Sequence, residues 1–549
     1  MSPDRMSPLS THLAHWAGST PDRPALTFLD YASNPDGVAR SLSWAQLDER
    51  VSTVAARLRR TVRRGERVAL LAPPGLDYVV GFLGALRAGV IAVPLFTPDL
   101  PGHEDRLAGV VADCEPACVV TTSAASAGVR EFLAALDIAP DVVDVDLLRE
   151  PETGEPVEVD LDEVAYLQYT SGSTREPSGV MISHRNVVAN SHQGFELYGV
   201  EPGRTTLISW LPLYHDMGLV LTACGGIVHG VSAVFTDPVA FLLRPVRWLE
   251  MLSRYPGGVT AAPNFAFDYC VSRITPSECA GLRLENADLV INAAEPVSAE
   301  TLDRFAAAFA PYGLRPDVLS GAYGLAEATV LVTCWSYGEP YRVRTLAGRR
   351  MVACGYADNP EGARVAVVDP ASNARCPDGQ VGEIWVTGPN VALGYWKRPD
   401  ADAFGAPLDD LPWLRTGDLG VLVDGELYVT GRIKDLIIVD GRNHYPQDVE
   451  ATVEDADPVV GRHRVAAFAV PVAGGEGMVV VAEVSRRART WTSSSVVSAI
   501  RSAVSSRHGV SLHDVVLVVP NDVPRTSSGK VARSATRQRY LDGALVAAR

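Results

Sequence analysis

An α/β fold followed by a smaller α+β domain is predicted from three features of the sequence. Strand-like runs alternate with helix-like runs through the first part of the chain, which is typical of parallel sheets covered by helices on both faces. Residues 360–430 change to short, alternating strands separated by Gly, Asp and Pro, which predicts a small distorted β-barrel or sheet. Strand-like runs at 465–470, 479–484 and 515–519, with a helix near 493–506, predict the α+β domain.

Length, composition and charge limit the classes of function. A chain of 549 residues is too long for one ordinary domain, and about two to four units are expected. Hydrophobic residues make up 47% and charged residues 21%, which is an ordinary globular balance. The 49 Lys and Arg residues against 65 Asp and Glu residues give a net charge of −16, which makes the protein a poor candidate for general binding to nucleic acid or to anionic membranes.

The cysteines and the N-terminus predict a cytoplasmic protein. Among the eight cysteines only Cys114 and Cys118 lie close together, and no second pair or His cluster completes a zinc site. Buried thiols in a reducing compartment are therefore expected. The first residues lack the plan of a signal peptide, and no apolar run is long enough for a transmembrane helix.

The elements of the first 150 residues follow one another as the α/β prediction requires. Leu47, Val51, Val54 and Leu58 recur at helical spacing after Trp44 and predict an amphipathic helix. The other predicted elements are a helix at 9–18, a strand at 25–29, a strand at 67–72 ended by Pro73-Pro74, a helix ending near Gly89, a strand at 90–94, and helix–strand units over 104–149.

A loop of small and hydroxylated residues follows the predicted strand at 164–168. It runs from Tyr169 to Val180 and contains Thr170, Ser171, Gly172, Ser173, Thr174 and Arg175. Backbone N–H groups and hydroxyls at the end of a strand suit phosphate oxygens. A flexible Ser/Gly loop is the alternative, which the Arg and the position after a buried strand make less favourable. It is not a Walker A loop, because Gly179 is followed by Val180.

Further along the chain, aromatic segments and two strand ends are candidates for ligand binding. Residues 208–218 hold Trp210, His215 and Met217, and residues 263–267 hold Asn264, Phe265 and Phe267; an ordinary core is the alternative for the His and the phenylalanines. The strand at 289–292 ends in Ala294-Glu295-Pro296, and a second segment contains Ser320, Gly321, Ala322, Tyr323 and Gly324. Small residues let a flat ring lie against the backbone, Tyr323 can stack on it, and Glu327 can hold Mg²⁺.

Taken together, these segments resemble the adenylate-forming superfamily, which includes acyl-CoA ligases, peptide-synthetase adenylation domains and fatty acyl-AMP ligases. The loop is similar to the pattern YTSGSTGxPKGV, with Arg175 in place of the Gly and Ser178 in place of the Lys. An Arg after SGST and the segment Gly441–Pro446 resemble the fatty acyl-AMP ligase branch. Asp418 in a TGD segment, Arg432 and Lys434 in GRIKD, and Lys530 in PRTSSGKVAR match other motifs of the superfamily.

The resemblance implies a large N-terminal domain, residues 1–433, made of two αβ-sheet subdomains and a small distorted β-barrel. A small mobile lid, residues 434–549, would follow. It also implies that ATP contacts the loop at 170–175, the segments 294–296 and 320–324, Asp418 and Arg432. Lys530 would be the catalytic lysine, Glu327 the Mg²⁺ ligand and Lys434 the hinge. His215 would gate an acid pocket formed by Trp210, Met217, Asn264, Phe265 and Phe267.

The implied reaction joins an apolar carboxylic acid to AMP and releases pyrophosphate. The acyl group would then pass to the phosphopantetheine thiol of an acyl carrier protein, as in polyketide and lipopeptide biosynthesis. Two alternatives stay open. An acyl-CoA ligase is favoured by the short stretch at 329–353, where the fatty acyl-AMP ligase branch carries an added segment. A degenerate relative that does not form an adenylate is suggested by Ser178.

Overall fold

The computed structural model describes residues 4–148, 157–170, 177–359, 362–399, 401–439, 441–472, 475–484, 491–526 and 529–548. Contacts between residues divide the chain into two compact units. The larger unit holds most of the chain up to Val429, and the smaller unit holds Gly417–Gly420 and the residues from Thr430 onward.

The first sheet of the larger unit has six strands. In spatial order they are Asp141–Asp144, Cys118–Thr121, Arg67–Leu71, Ile91–Leu95, Val164–Tyr169 and Gly179–Ser183. The first five are parallel, and Gly179–Ser183 is antiparallel at one edge. The sequence analysis did not predict this strand. The helix begins only at His184, where Ser183 forms a capping box with Asn186.

The second sheet of the larger unit has eight strands. In spatial order they are Thr333–Cys334, Leu319–Tyr323, Ala287–Asn292, Gly258–Ala262, Thr206–Ser209, Ser232–Thr236, Pro24–Asp30 and Val38–Ser43. The inner ladders are parallel, and the strand at each edge is antiparallel to its neighbour. Parallel strands carry their carboxyl ends at the same edge of a sheet, and there ligands commonly bind.

Helices cover both faces of these sheets. They span Leu9–Ser19, Trp44–Arg59, Leu76–Ala88, Glu104–Cys114, Ser126–Ala135, His184–Tyr198, Pro238–Leu243, Val246–Arg254, Asn264–Arg273 and Ala299–Phe309. A further helical stretch runs through Asp216–Leu219 and Gly226–His229, with a π-helical part at Val220–Gly225 between them.

Alternate residues of the strands pack into different hydrophobic cores. In the six-stranded sheet, Val68 and Leu70 lie in one core, whereas Ala69 and Leu71 lie in another. A strand buried on both faces is typical of a parallel sheet between helices. The predicted α/β fold is confirmed.

Smaller sheets follow the two large sheets along the chain. Residues 343–352 form a hairpin of Val343–Leu346 and Arg349–Val352. The predicted barrel region is a five-stranded sheet made of Arg364–Val368, Gly382–Thr387, Ala406–Leu408, Leu411–Val423 and Glu426–Arg432.

In the smaller unit, a three-stranded sheet packs against helices. Its strands are Val460–Val472, Gly475–Val484 and Leu512–Val518, and a short hairpin joins Ile437–Val439 to Arg442–His444. Helices span Pro446–Ala456, Ser493–His508 and Arg533–Leu541. The strands and the helix at 493–508 agree with the sequence prediction, whereas the helices at 446–456 and 533–541 were not predicted.

All eight cysteines are free, and seven of them are buried. Burial raises the pKa of the Cys118 thiol to about 12, so this thiol stays protonated and unreactive at neutral pH. None of the helices within the described ranges has the length and apolar character needed to cross a membrane.

Candidate active site

Only the first residue of the predicted phosphate loop lies in the described part of the chain. Thr170 follows the strand Val164–Tyr169, and its backbone N–H donates to the carbonyl oxygen of Ser178 at 3.4 Å. The two ends of the loop are therefore close together. The other predicted loop residues, Ser171, Gly172, Ser173, Thr174 and Arg175, lie outside the described residues.

The strand that leads into this loop is fixed by polar contacts. The buried Tyr169 donates its hydroxyl hydrogen to Asp113 Oδ2 at 2.5 Å, and burial together with this carboxylate raises the pKa of Tyr169. Gln168 Nε2 donates to the backbone oxygen of Tyr214 at 2.9 Å, which connects the strand to the segment with His215. A Cβ on Gly179 would lie 2.9 Å from Tyr169 Cζ, so glycine leaves room for the Tyr169 ring against the neighbouring strand.

A tight backbone turn positions His215 beside a small cavity. The His215 N–H donates to the carbonyl oxygen of Pro212 at 3.2 Å, and a Cβ on Gly218 would lie only 2.2 Å from the same oxygen. Only glycine fits there. The cavity is lined by His215, Phe96, Arg106 and other residues of the same neighbourhood, and burial lowers the pKa of Arg106. The sequence analysis did not single out Arg106, because a lone Arg in a helix is usually solvated.

Two aromatic residues of the predicted acid pocket, Trp210 and Phe265, lie in one aromatic cluster with Phe241. Trp210 stacks on Phe241 with ring centroids 3.8 Å apart and meets Phe265 edge-on at 6.1 Å. Phe265 and Met217 are only partly buried, whereas Trp210 is buried. The buried indole Nε1 of Trp210 has no hydrogen-bond partner within the described part of the chain. This surface can hold an apolar chain.

Two of the predicted pocket residues have other contacts. Phe267 is completely buried and packs edge-on against Trp248 and Phe305 at 5.5 and 4.9 Å, which favours the core interpretation. Asn264 is buried and connects a helix to the segment with Glu295. Its Nδ2 donates to the Pro296 oxygen at 2.9 Å, and its backbone N–H donates to Glu295 Oε1 at 3.0 Å. Asn264 therefore holds the segment 294–296 in position.

The segment after the strand Ala287–Asn292 has an unusual backbone. Ala294 has a φ of 77°, in the left-handed region that residues other than glycine rarely adopt. Such a conformation costs of order 1–3 kcal/mol and is common where a protein forms a binding surface. This finding supports Ala294 as a candidate binding residue.

Four of the predicted residues lie on the neighbouring strand, Leu319–Tyr323, and all four are buried: Ser320, Gly321, Ala322 and Tyr323. Ser320 donates to the Trp335 oxygen at 3.3 Å, so its side chain has a structural role. A Cβ on Gly324 would lie 1.7 Å from the Val330 oxygen, and only glycine allows the chain to fold back here. The fold-back holds Glu327 just beyond the strand.

Glu327 lies in a short 3₁₀ turn, Ala326–Ala328, followed by a strained γ-turn. The central residue of the γ-turn, Thr329, has φ 68° and ψ −65°, and the Val330 N–H donates to the Ala328 oxygen at 2.8 Å. The Glu327 carboxylate is partly buried and accepts a hydrogen bond from the Tyr395 hydroxyl at 2.7 Å. Tyr395 was not predicted, because no motif connects it to the acidic residue.

The donor set around Glu327 fits Mg²⁺ held jointly with a ligand. Mg²⁺ is usually bound through one or two carboxylates and substrate phosphates, and it keeps several waters. Glu327 supplies one carboxylate, and the described residues contain no cluster of three or more His, Cys, Asp or Glu side chains that could hold a metal alone.

In the smaller unit the structure brings together two predicted residues, Asp418 and Arg432. Arg432 Nε donates to Asp418 Oδ1 at 2.9 Å. The Asp418 side chain is 7% exposed and that of Arg432 is 62% exposed. A buried carboxylate aligned by a guanidinium can accept hydrogen bonds from ligand hydroxyls.

Lys434 lies exposed in a single 3₁₀ turn, Ile433–Asp435, directly after the strand Glu426–Arg432. The next residue, Asp435, is bound by Arg533 at 3.0 Å, and Arg533 also makes two bonds to Glu450 at 2.7 and 2.8 Å. Asp435, the residue directly after Lys434, is therefore held in place within the smaller unit.

The predicted catalytic lysine, Lys530, closes a short loop. The Thr526 N–H donates to the Lys530 oxygen at 2.8 Å, and the Lys530 N–H donates to Thr526 Oγ1 at 3.2 Å. Arg525 donates to the Gly529 oxygen at 2.9 Å and to the His463 oxygen at 2.5 Å. These bonds fix the backbone from which the lysine side chain extends.

The chain has parallel sheets with candidate ligand residues at their strand ends, and a small α+β unit with a lysine in a loop follows. This is the architecture of an AMP-binding ligase. The AMP-binding enzyme family matches residues 13–396, and the Disco-interacting protein 2-like AMP domain matches residues 434–549. The segments that the sequence analysis singled out fall within or between these matches.

Similar proteins identify the branch. The long-chain-fatty-acid–AMP ligase FadD26 of Mycobacterium marinum is 41% identical, with 96% of each chain covered. The 4-hydroxyphenylalkanoate adenylyltransferase of the same organism is 41% identical over 96% of this chain and 91% of its own. The structure of a fatty acyl-adenylate ligase from L. pneumophila with acyl adenylate and pyrophosphate is 34% identical, has a TM-score of 0.75, and covers 98% of this chain and 97% of its own. The chain belongs to the AMP-binding enzyme family and, within it, to the fatty acyl-AMP ligase branch.

Proposed function

We propose that this protein uses ATP to convert a fatty or related apolar acid into an acyl-adenylate, and then transfers the acyl group to an acyl carrier protein. The observation that carries the proposal is the arrangement at one edge of the eight-stranded sheet. Two neighbouring parallel strands end there, one in the left-handed Ala294 and the other in the strained turn behind Glu327. A flat base would lie against the backbone at Ala294, and a phosphate-bound cation would lie beside it at Glu327.

Adenosine would contact three segments of the described chain. The adenine would lie between the segment 294–296 and the segment 320–324, with Tyr323 stacked on one face. Asp418 would accept hydrogen bonds from the ribose hydroxyls, and Arg432, which already binds Asp418 at 2.9 Å, would hold that carboxylate in place.

The loop at 170–175 would bind the β- and γ-phosphates, and Glu327 would hold Mg²⁺ against them. Bound Mg²⁺ would offset the negative charge that develops on the phosphates. The Thr170 N–H donates to the Ser178 oxygen at 3.4 Å, so the two described ends of this loop lie close together.

Adenylation needs alignment more than acid–base chemistry. A carboxylate oxygen forms a bond to the α-phosphorus, the bond between the α-phosphorus and the bridging oxygen breaks, and pyrophosphate leaves. Both partners are anions, so the protein must position them and neutralise their charge. Lys530 would contact the carboxylate and the α-phosphate and offset both charges as they approach.

The acid pocket would be formed by the cluster of Trp210, Met217 and Phe265, with His215 at its gate. An aliphatic chain or an aryl ring fits such a surface. A fatty acid is one candidate, because a long-chain-fatty-acid–AMP ligase is similar over 96% of this chain. An aryl acid is the second, because the adenylyltransferase named for 4-hydroxyphenylalkanoate is similar to the same extent.

Transfer of the acyl group requires a thiol to reach the same carbon that Lys530 approaches. The thiol sulfur forms a bond to the acyl carbon, AMP leaves, and the thiol proton passes to solvent. We infer that the smaller unit rotates about Lys434 between the two steps, because the chain is anchored by Asp435 and Arg533 immediately beyond it. Coenzyme A is the alternative acceptor, favoured by the short stretch at 329–353.

Product analysis tests the function and the acceptor together. The protein is incubated with ATP, Mg²⁺, a series of fatty and aryl acids, and either coenzyme A or a phosphopantetheinylated carrier protein, and products are identified by mass spectrometry. Acyl-AMP with acyl-carrier protein, but without acyl-CoA, is the expected result. Efficient acyl-CoA formation would contradict the proposed acceptor, and absence of acyl-AMP with every acid would support a degenerate relative.

A further inference from the structure

The segment 390–398, here called the bracing segment, contacts two parts of the candidate site that are far apart in the sequence. One is Glu327, and the other is the strand that follows the predicted phosphate loop. At the first of these, the Tyr395 hydroxyl donates to Glu327 Oε1 at 2.7 Å, and the Ala392 N–H donates to the Glu327 backbone oxygen at 2.9 Å. Both the side chain and the backbone of Glu327 are therefore held by the same short stretch.

The bracing segment also holds the strained turn behind Glu327. The buried Asn390 donates through Nδ2 to the backbone oxygens of Ala328 and Leu331 at 3.2 and 2.9 Å. The Thr329 hydroxyl donates to the Asn390 oxygen at 2.8 Å. A β-branched residue with positive φ persists only where its surroundings force it, and these three bonds supply that constraint.

At its other end the bracing segment pairs with the strand Gly179–Ser183. The Met181 N–H donates to the Gly394 oxygen at 2.9 Å, the Leu393 N–H donates to the Met181 oxygen at 3.0 Å, and the Trp396 N–H donates to the Gly179 oxygen at 2.7 Å. These bonds extend the six-stranded sheet and leave the bracing segment little freedom to move relative to the end of the loop.

Arg398 continues this contact to Pro177 and Ser178, which lead from the loop into the strand Gly179–Ser183. Its Nη2 donates to the Pro177 oxygen at 3.1 Å, and its Nη1 donates to the Ser178 hydroxyl at 3.3 Å. Ser178 is the position at which the loop departs from the superfamily pattern by lacking a lysine. A cation from elsewhere in the chain therefore lies where the loop lacks its own.

We propose that the bracing segment sets the metal-binding carboxylate and the end of the phosphate loop in one fixed geometry, with Tyr395 positioning Glu327 and Arg398 positioning the loop. This inference rests on the proposed function. Tyr395 and Arg398 act through other residues, so their loss should change nucleotide and Mg²⁺ binding rather than abolish a chemical step.

The Tyr395 part is tested by ATP binding at different Mg²⁺ concentrations, measured by isothermal titration calorimetry without any acid. Tyr395→Phe keeps the ring, which packs edge-on against Phe404 at 5.2 Å, and removes only the hydroxyl. Loss of a residue that orients a metal ligand typically costs 10–100-fold in metal affinity. We expect the Mg²⁺ concentration that gives half of the full ATP affinity to rise at least about tenfold, with ATP binding in EDTA unchanged.

Tyr428→Phe is the matched control. The buried Tyr428 donates to Glu426 Oε2 at 2.5 Å, so this variant loses the same kind of bond outside the candidate site. Its stability should fall, while its Mg²⁺ dependence stays that of the wild type. An unchanged Mg²⁺ dependence in Tyr395→Phe, or an equal change in Tyr428→Phe, would overturn the positioning role of Tyr395.

The Arg398 part is tested by restoring a cation at the loop. Arg398→Ala should weaken ATP binding about tenfold with and without Mg²⁺, because a displaced loop loses charge-assisted hydrogen bonds to phosphate. Adding Ser178→Lys to Arg398→Ala should recover most of that loss. Arg185→Ala, which removes a surface pair with Asp162, is the control and should bind ATP normally.

Wild-type ATP affinity in Arg398→Ala, or no recovery on adding Ser178→Lys, would overturn the role of Arg398. These results are distinct from a failure of the proposed function. A wild-type protein that binds ATP with Mg²⁺ but forms no acyl-adenylate contradicts the function alone, and a wild-type protein that binds no ATP contradicts both.

Discussion

The Arg432 guanidinium and the Asp418 carboxylate form a 2.9 Å ion pair in which the acid is buried and the base is largely exposed. The two residues lie on neighbouring strands, Leu411–Val423 and Glu426–Arg432, and were each predicted from separate motifs. In the proposed function, this buried and aligned carboxylate would accept hydrogen bonds from the two hydroxyls of a ribose. Two residues that were recognised independently therefore form one ion pair in the structure.

Asp418→Asn should weaken ATP binding about 10–100-fold, because hydrogen bonds to a charged group contribute about 1.5–3 kcal/mol. The KM for ATP in pyrophosphate exchange is the measurement. Asp424→Asn, which removes a surface partner of Arg344, is the control and should leave this KM unchanged. If Arg432 acts only through Asp418, Arg432→Ala should add little to Asp418→Asn; additive losses would contradict the shared role.

Lys530→Ala should lower the rate of acyl-adenylate formation by roughly 10²–10³, the usual cost of removing one group that stabilises transition-state charge. ATP binding should be nearly unchanged, since in the proposed mechanism the lysine acts when the acid and the α-phosphate approach each other. Single-turnover formation of acyl-AMP gives the rate, and calorimetry gives the affinity. Arg462→Ala removes a surface cation paired with Asp455 in the same unit and is the control. A comparable loss in the control, or none in Lys530→Ala, would contradict the assignment.

The fold and the individual candidate segments could be read from the sequence because each depends on local sequence. The strand before Thr170, the small residues around Ala294 and the loop of Lys530 are recognisable within a dozen residues. The strand Gly179–Ser183 was missed because it joins directly to a capped helix at His184, and the helix Arg533–Leu541 because it has little apolar periodicity. The role of Phe267 stayed open, because the sequence of a helix does not tell which side faces a pocket.

Contacts across long sequence separations could not be predicted. Tyr395 and Glu327 are joined only by the folded chain, and the strain at Thr329 is set by Asn390, 61 residues later. Gly218 and Gly324 seemed ordinary in the sequence, although backbone oxygens at 2.2 and 1.7 Å from an added Cβ exclude every other residue. Such requirements arise from close approach of backbone segments, which no local pattern encodes.

A buried histidine should make the protein sensitive to acid. His12 is 3% exposed, and burial together with the nearby His192 lowers its pKa to about 4. In the unfolded chain the pKa is about 6.5, so the unfolded state binds the proton first as the pH falls. The contribution of the neutral ring is fully present above about pH 6.5 and is lost progressively between about pH 6.5 and 4.

At pH 5 this linkage should cost roughly 2 kcal/mol of the free energy of unfolding. Chemical denaturation of His12→Leu and the wild type at pH 7.5 and pH 5 checks the sign: the wild type should lose more stability on acidification than the variant. His513→Leu replaces a solvent-exposed histidine and is the control, which should behave like the wild type. Equal losses in the wild type and His12→Leu would mean that another group carries the acid sensitivity.

Lys434→Pro should separate the two half-reactions. Proline fixes φ and removes the backbone N–H at the position where the chain leaves the strand Glu426–Arg432, so rotation there becomes restricted. Whichever arrangement of the smaller unit the proline allows should keep its half-reaction within a few-fold of the wild type. The other half-reaction should fall by about 10²-fold or more, because small misplacements of reacting groups are that costly.

Acyl-AMP formation and transfer from isolated acyl-AMP to carrier protein are measured separately, with Lys434→Ala as the control that removes the side chain alone. Equal loss of both half-reactions in Lys434→Pro, or selective loss in Lys434→Ala, would contradict a backbone hinge at this residue.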